Sequence, residues 1–410
     1  MDARSLTWAA AIALATAWFA CARPSRVAAP GSIHWVGTWA AAPQLTEERN
    51  LPPAPGLAGN TLRQIVHVSL GGDRLRVRLS NEFGNGPVTI AAATVARAAA
   101  SGSGTIVPGS DKALTFAGRS AATIPAGGVA TSDPLAFDVT PLSDLAVTIA
   151  VTDAPTNLTG HPGSRTTSYL QPAGDVRAAS LPNAKRVEHW YLLTGIEVAH
   201  AGGSAVVVLG NSIADGRGSG TDRQNRWPDN LARRLQARRG TSNVAVLNAG
   251  IGGNCVLREC IGPSGWDRLA RDVLQQTRAR WLIVSEGVND IGGTRTADSA
   301  QAVAGQLIDA YAAIIARARQ RGLRVYGATI LPFSGSFYDS PEREAARQRV
   351  NVWVRTSGAF DAVIDFDAAM RDSVQPARLR SDVDDGDHLH PNELGYRVMA
   401  DAIDLALFVQ

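Results

Sequence analysis

A chain of 410 residues, 45% hydrophobic and 19% charged, is globular in class, with length enough for a large core and about two or three domains. Lys+Arg 40 against Asp+Glu 37 leaves a formal net charge of only +3. The basic residues are scattered, which excludes the clustered positive footprint of a nucleic-acid binder. Lysine occurs only at Lys112 and Lys185, an arginine bias that reads as genome composition rather than function.

In chain order, the first element is MDARSLTWAAAIALATAWFACARPS, in which Arg4 precedes an apolar run from Leu6 to Ala20 that ends in Ala20-Cys21-Ala22. Residues 1–22 read as a secretory signal peptide, which predicts a secreted or periplasmic protein. A lipid-modified Cys21 is the second reading, disfavoured by Trp18 and Phe19 just before it. No other segment approaches the roughly 20 consecutive apolar residues of a spanning helix, so the mature protein is expected to have no membrane span. In an exported chain the two remaining cysteines, Cys255 and Cys260, suit a disulfide that closes a small ring. Two reduced thiols are the alternative, and no histidine lies close enough in sequence to suggest a metal site.

Residues 33–198 show short alternating runs broken by Gly, Pro, Ser and Asp, and read as an all-β sandwich. RQIVHVSL (Arg63 to Leu70), the Gly71-Gly72-Asp73 turn and RLRVRLS (Arg74 to Ser80) predict a hairpin with one solvated face. Trp35, Trp39 and Trp190 suit core packing, with contact to carbohydrate as the rival reading.

Residues 203–410 change rhythm. AVVVL, VAVLN, WLIVSE, RVYGATIL and AVIDFD are near-continuous apolar strands, with amphipathic stretches such as SAQAVAGQLIDAYAAIIARARQR between them. The alternation predicts a parallel sheet covered on both faces, with ligands outside the carboxyl ends of its strands. Those ends carry GNSIADG, NAGIGGN and EGVND, and beyond the last strand lies DDGDHLHPNELGY.

These loops hold what acyl transfer requires. A serine hydroxyl needs an imidazole to take its proton, and the imidazole needs a carboxylate to fix its tautomer. Ser212, His390 and Asp387 can fill those roles, with the N–H groups of Ser212 and Gly253 and the Asn289 amide as donors to an oxyanion. Taken singly, each has a plainer explanation: Ser212 as a helix N-cap, Gly252-Gly253 as a turn and Asn289-Asp290 as Asx-type caps, while Trp227 suits equally the lining of an acyl or sugar pocket and packing under a helix start. Asp385 also stands three residues before His388, a rival pair to Asp387 and His390.

Together, Gly-x-Ser at Ser212, Gly253, Gly-x-Asn-Asp at Asn289 and Asp-x-x-His-Pro at His390 resemble the SGNH hydrolases, also called GDSL esterases or lipases. The strings GIGGN, GVNDIGG and GDHLHPNELGY look most like the bacterial xylan-esterase-like branch, in which a β-rich domain precedes the hydrolase domain. The resemblance implies a three-layer α/β/α flavodoxin-like sheet over residues 203–410. It also implies Ser212 as nucleophile and first oxyanion donor, Gly253 and Asn289 as further donors, His390 as base and Asp387 as its orienter. The trailing Pro391-Asn392 fits that pattern only with His390 as base. One departure is Asn211, where the family usually has aspartate.

The absence of Gly-x-Ser-x-Gly argues against an α/β-hydrolase elbow. No metal or other cofactor is expected. The implied activity is a secreted esterase acting on an acylated small molecule or polysaccharide, with acetyl esters of carbohydrate preferred. Aryl-ester or lipase-like hydrolysis and an inactive carbohydrate-binding protein are the alternatives.

Overall fold

The computed structural model describes residues 33–409, and from His34 onward the chain forms one compact unit. The signal-peptide reading of residues 1–22 and the Cys21 alternative lie outside the described residues.

The first half is built from antiparallel sheets. One five-stranded sheet contains β1 (Trp35–Ala40), β3 (Gly72–Ser80) and β6 (Leu193–Ala199), and a seven-stranded sheet contains β2 (Asn60–Val68), β4 (Val88–Arg97) and β5 (Ser143–Asp153). A small third sheet joins Gln44–Leu45, Thr159–His161 and Trp190–Tyr191.

The expected hairpin does not form. β2 pairs with β5 and with Ser168–Pro172, whereas β3 pairs with β6 in the other sheet, so the Gly71-Gly72-Asp73 turn passes the chain between sheets. The polar residues of β2 do not mark a solvated face because they are hydrogen-bonded inside. The buried Arg63 donates from Nε to Thr148 Oγ1 at 2.8 Å, from Nη1 to the Gly104 carbonyl at 2.7 Å and from Nη2 to the Ala178 carbonyl at 2.7 Å. Burying a guanidinium is tolerable only with its donors satisfied in this way. Trp39 and Trp190 are also buried, ring edge to face at 4.9 Å, and serve the core.

The second half carries β7 (Ser204–Gly210), β8 (Val244–Gly250), β9 (Ala279–Ser285), β10 (Arg324–Ala328) and β11 (Ala362–Ile364), all parallel, in the order β8-β7-β9-β10-β11. This is the flavodoxin-like order, whose topological switch lies beside β7. Alternation along β7 sends successive side chains to opposite faces. Val206 and Val208 meet α2 (Trp227–Ala237) and α6 (Glu393–Asp401), whereas Ala205, Val207 and Leu209 join the cluster that holds α4 (Ala297–Arg319) and α5 (Pro341–Thr356). Trp227 is fully buried against Phe366, at 5.3 Å between ring centroids, as packing under a helix start requires.

The two halves share a core. Val36, Val198 and Leu247 belong to one buried cluster, and a Cβ on Gly37 of β1 would stand 2.8 Å from Leu247 Cδ1 of β8. Ser69 Oγ accepts the Val246 N–H at 3.0 Å and lies 3.3 Å from its carbonyl, so the β-rich half also satisfies the open edge of the parallel sheet.

Candidate active site

β7 ends at Gly210, and the chain turns at once into α1 (Ser212–Asp215). Asn211 caps this helix: its Oδ1 accepts the Ile213 N–H at 3.0 Å. The capping role therefore falls to Asn211, and Ser212, as the first helical residue, has its hydroxyl free for another partner.

That partner is His390. Ser212 Oγ lies 2.9 Å from His390 Nε2, and His390 Nδ1 lies 2.7 Å from Asp387 Oδ2. An ionised carboxylate can only accept, so the ring proton sits on Nδ1 and the serine O–H donates to Nε2. Asp387 Oδ1 also accepts the backbone N–H groups of Leu389 and His390, at 3.0 and 2.8 Å. Burial raises the Asp387 carboxyl, but its bonds to His390 outweigh that and leave it below the usual carboxylate range. Burial lowers the His390 imidazole; Asp387 opposes this and Arg217 adds to it, with a net downward shift. The rival histidine is elsewhere: His388 is exposed and pairs with Asp384, at 2.5 Å, rather than with Asp385.

After β8, Gly253 turns with φ +75°, and a Cβ there would stand 2.7 Å from Ile261 Cδ1, so the position suits glycine alone. Cys255 and Cys260 are joined in a disulfide just beyond it. The same loop is held from β9's end. Asp290 in α3 (Val288–Gly292) accepts the N–H groups of Val256 and Leu257 at 2.9 and 3.0 Å, and Asn289 Nδ2 donates to the Asn254 carbonyl at 2.7 Å. Tyr338 donates its hydroxyl to Asn289 Oδ1 at 3.1 Å, which fixes the amide and leaves one of its two N–H donors for the cavity.

Ser212, Gly253, Asn289 and His390 line one cavity of about 500 Å³. Its other walls come from both halves of the chain: Gln44, Pro162 and Arg165 from the β-rich half, Arg217 and Phe337 from the half that holds the parallel sheet.

Sequence reasoning missed the support beneath this site. Arg268, fully buried, donates to the Gly210 carbonyl at 2.9 Å, to Asn254 Oδ1 at 2.9 Å and to Glu286 Oε1 at 3.2 Å, tying together the ends of β7 and β9 and the Gly253 loop. Nothing in GWDRLARD distinguishes that arginine from a solvated helix residue. Among the described residues, no group of three or more His, Cys, Asp or Glu could hold a metal ion, and no helix is long and apolar enough to cross a membrane.

A parallel sheet whose strand ends bring a serine and an imidazole to one cavity, with a carboxylate on the far side of the imidazole ring, belongs here to a carboxylic ester hydrolase. Residues 208–398 match the GDSL-like lipase/acylhydrolase family, which marks this part of the chain as an SGNH-type hydrolase domain. Solved structures similar to it include a GDSL-like lipase from Bacteroides thetaiotaomicron, at 18% identity over 50% of this chain and 87% of that one, with a TM-score of 0.35. A lipase/acylhydrolase from Enterococcus faecalis shows 22% identity over 48% and 92%, with a TM-score of 0.37. An acetyl xylan esterase from Geobacillus stearothermophilus shows 20% over 49% and 93%, with a TM-score of 0.38. No curated protein matches the chain.

Proposed function

We propose that this protein is an exported serine esterase that removes short acyl groups, acetyl above all, from carbohydrate through a Ser212 acyl-enzyme. The observation that carries the mechanism is the Ser212–His390–Asp387 chain of contacts at 2.9 and 2.7 Å. His390 takes the Ser212 proton as Oγ attacks the ester carbonyl, and returns it to the leaving alcohol. The developing oxyanion is met by the N–H groups of Ser212 and Gly253 and by the Asn289 amide. Water then attacks the acyl-enzyme by the same route in reverse.

Two features support a short acyl group on a sugar. The apolar side chains beside Ser212 are few, Ile261 and Leu389 among them, while Gln44, Glu47 and Asn50 make the cavity wall polar. Phe337, 71% exposed at that wall and 4.4 Å from the Tyr338 ring, offers an aromatic face on which a sugar ring can stack. The export half of the reading rests on the N-terminal sequence.

The test is hydrolysis of a chromogenic acyl series, acetyl to octanoyl, and of acetylated polysaccharide. A short-chain preference lost by roughly 10³-fold or more in Ser212→Ala is the expected result. Equal inactivity of both proteins on every ester would overturn the reading and favour a carbohydrate-binding role.

A further inference from the structure

The residue that closes α1, Asp215, is buried, and the mechanism above gives it no task. Its carboxylate faces two ways. Oδ2 accepts the Gly252 N–H at 3.0 Å, immediately before the oxyanion glycine Gly253, and Oδ1 lies 2.9 Å from Nε2 of His161, a residue of the β-rich half. A Cβ on Gly163 would stand 1.8 Å from Asp215 Oδ2, so the segment after His161 closes over the carboxylate at a distance only glycine permits. The His161 ring is itself fixed. Nδ1 lies 2.9 Å from the Ala42 carbonyl, and the ring stacks on Trp190 at 5.6 Å.

The protons can be counted. A carbonyl only accepts, so His161 Nδ1 carries a hydrogen. A second proton must then lie between Nε2 and Oδ1 for that contact to be a hydrogen bond. With Arg165 and Arg226 also facing Asp215, the arrangement that places it best is an imidazolium against a carboxylate. Burial raises the Asp215 carboxyl, but His161 and the two guanidiniums more than reverse this and hold it below the usual carboxylate range.

We propose that His161 and Asp215 are a positioning pair through which the β-rich half fixes the oxyanion loop, by anchoring the Gly252 N–H beside the nucleophile helix. The β-rich half is then a working part of the active site rather than an appended module. This inference rests on the ester-hydrolase reading of the cavity. Neither residue touches the reacting atoms, and both act through the Gly252–Gly253 backbone. A donor that serves only the oxyanion stabilises the transition state, so a displaced loop lowers kcat and leaves KM nearly unchanged.

The experiment compares Asp215→Ala, Asp215→Asn and His161→Ala with the unaltered full chain on an acetyl ester. Asp215→Ala is expected to lose on the order of 10²-fold in kcat with KM within about threefold. Asp215→Asn can still accept from Gly252 and can donate to a neutral His161 Nε2, so it is expected to recover most of that loss. His161→Ala is expected to follow Asp215→Ala. A folded Asp215→Ala or His161→Ala with unchanged kcat would overturn the proposal, as would an Asp215→Asn as impaired as the alanine variant. Ring-nitrogen NMR of His161 reads the pair independently of turnover. Two protonated nitrogens are expected in the unaltered protein and one in Asp215→Asn, and a single protonated nitrogen in both would overturn the ion pair. Absence of turnover in the unaltered protein would instead remove the ester reading, with the NMR result still deciding the pair.

Discussion

Asp387 holds His390 twice, by the ring at 2.7 Å and by the backbone N–H at 2.8 Å, so one carboxylate fixes both the tautomer of the imidazole and the turn that carries it. Asp387→Asn keeps the volume but lets the amide donate to Nδ1, which places the ring proton on Nε2, facing Ser212. Turnover is then expected to fall on the order of 10³–10⁴-fold while the fold survives. Steady-state kinetics beside a melting curve checks this, and a loss under tenfold would show that Asp387 does not set the tautomer.

In the proposed mechanism His390 acts as the base and must be neutral, and burial together with Arg217 holds its imidazole below the ordinary value of 6.5. The acid limb of kcat/KM is therefore expected below that pH. Removing the cation in Arg217→Gln raises the imidazole, so the limb moves to higher pH and activity at mildly acid pH drops. A pH–rate profile of both proteins decides it, and a limb that stays in place would show that Arg217 does not act on the base.

How much of this was legible in the sequence follows from the range of each interaction. The apolar runs at Val206 to Leu209 and Trp281 to Val284 announce buried parallel strands, and their ends carry Ser212 and Asn289 within a few residues. Asp387 and His390 are close in sequence, so their pairing could be read locally. Three features could not. Strands β2 and β3 separate into different sheets, and the polar Arg63 that suggested a solvated face is satisfied inside by Gly104 and Ala178, both remote in sequence. Arg268 and Glu286 look like surface charges until the fold buries them together. His161 reaches Asp215 across 54 positions and from the other half of the chain.

Burial pushes the Glu286 carboxyl up to about 8 from 4.5; Arg268 opposes this, Asp290 adds to it, and the Asn211 side chain favours the ionised form. Between those values the folded chain keeps a proton that the unfolded chain has released, so stability falls as pH rises through that window. Glu286→Gln retains an acceptor for Arg268 and removes the titration, so its Tm should be flatter across the same range. Asn211→Asp puts a second carboxyl beside Glu286, where the family usually has aspartate, and should steepen the fall. Thermal melts at several pH values test both. A Glu286→Gln slope equal to that of the unaltered protein would mean that Glu286 is ionised in the fold.

The disulfide and Asp290 both hold the loop that carries Gly253, and their contributions separate. The Cys255–Cys260 ring spans five positions, and removing so short a ring costs about 2 kcal/mol in the chain-entropy model, a Tm loss of roughly 2–3 °C for a chain of this size. The backbone in and beside the ring has other anchors: Asn254 Nδ2 donates to the Ile261 and Pro263 carbonyls at 2.9 and 2.8 Å across its ends, and Asp290 takes the Val256 and Leu257 N–H groups within it. Replacing both cysteines by serine should therefore lower Tm while leaving kcat within about threefold, since those hydrogen bonds persist. Asp290→Ala instead strands two N–H groups, at roughly 1–3 kcal/mol each where they are buried, and frees the loop on the side of Asn289. Its kcat should fall further than that of the serine pair. The reverse order, with the cysteine variant losing more turnover, would make the disulfide the principal brace of the oxyanion loop.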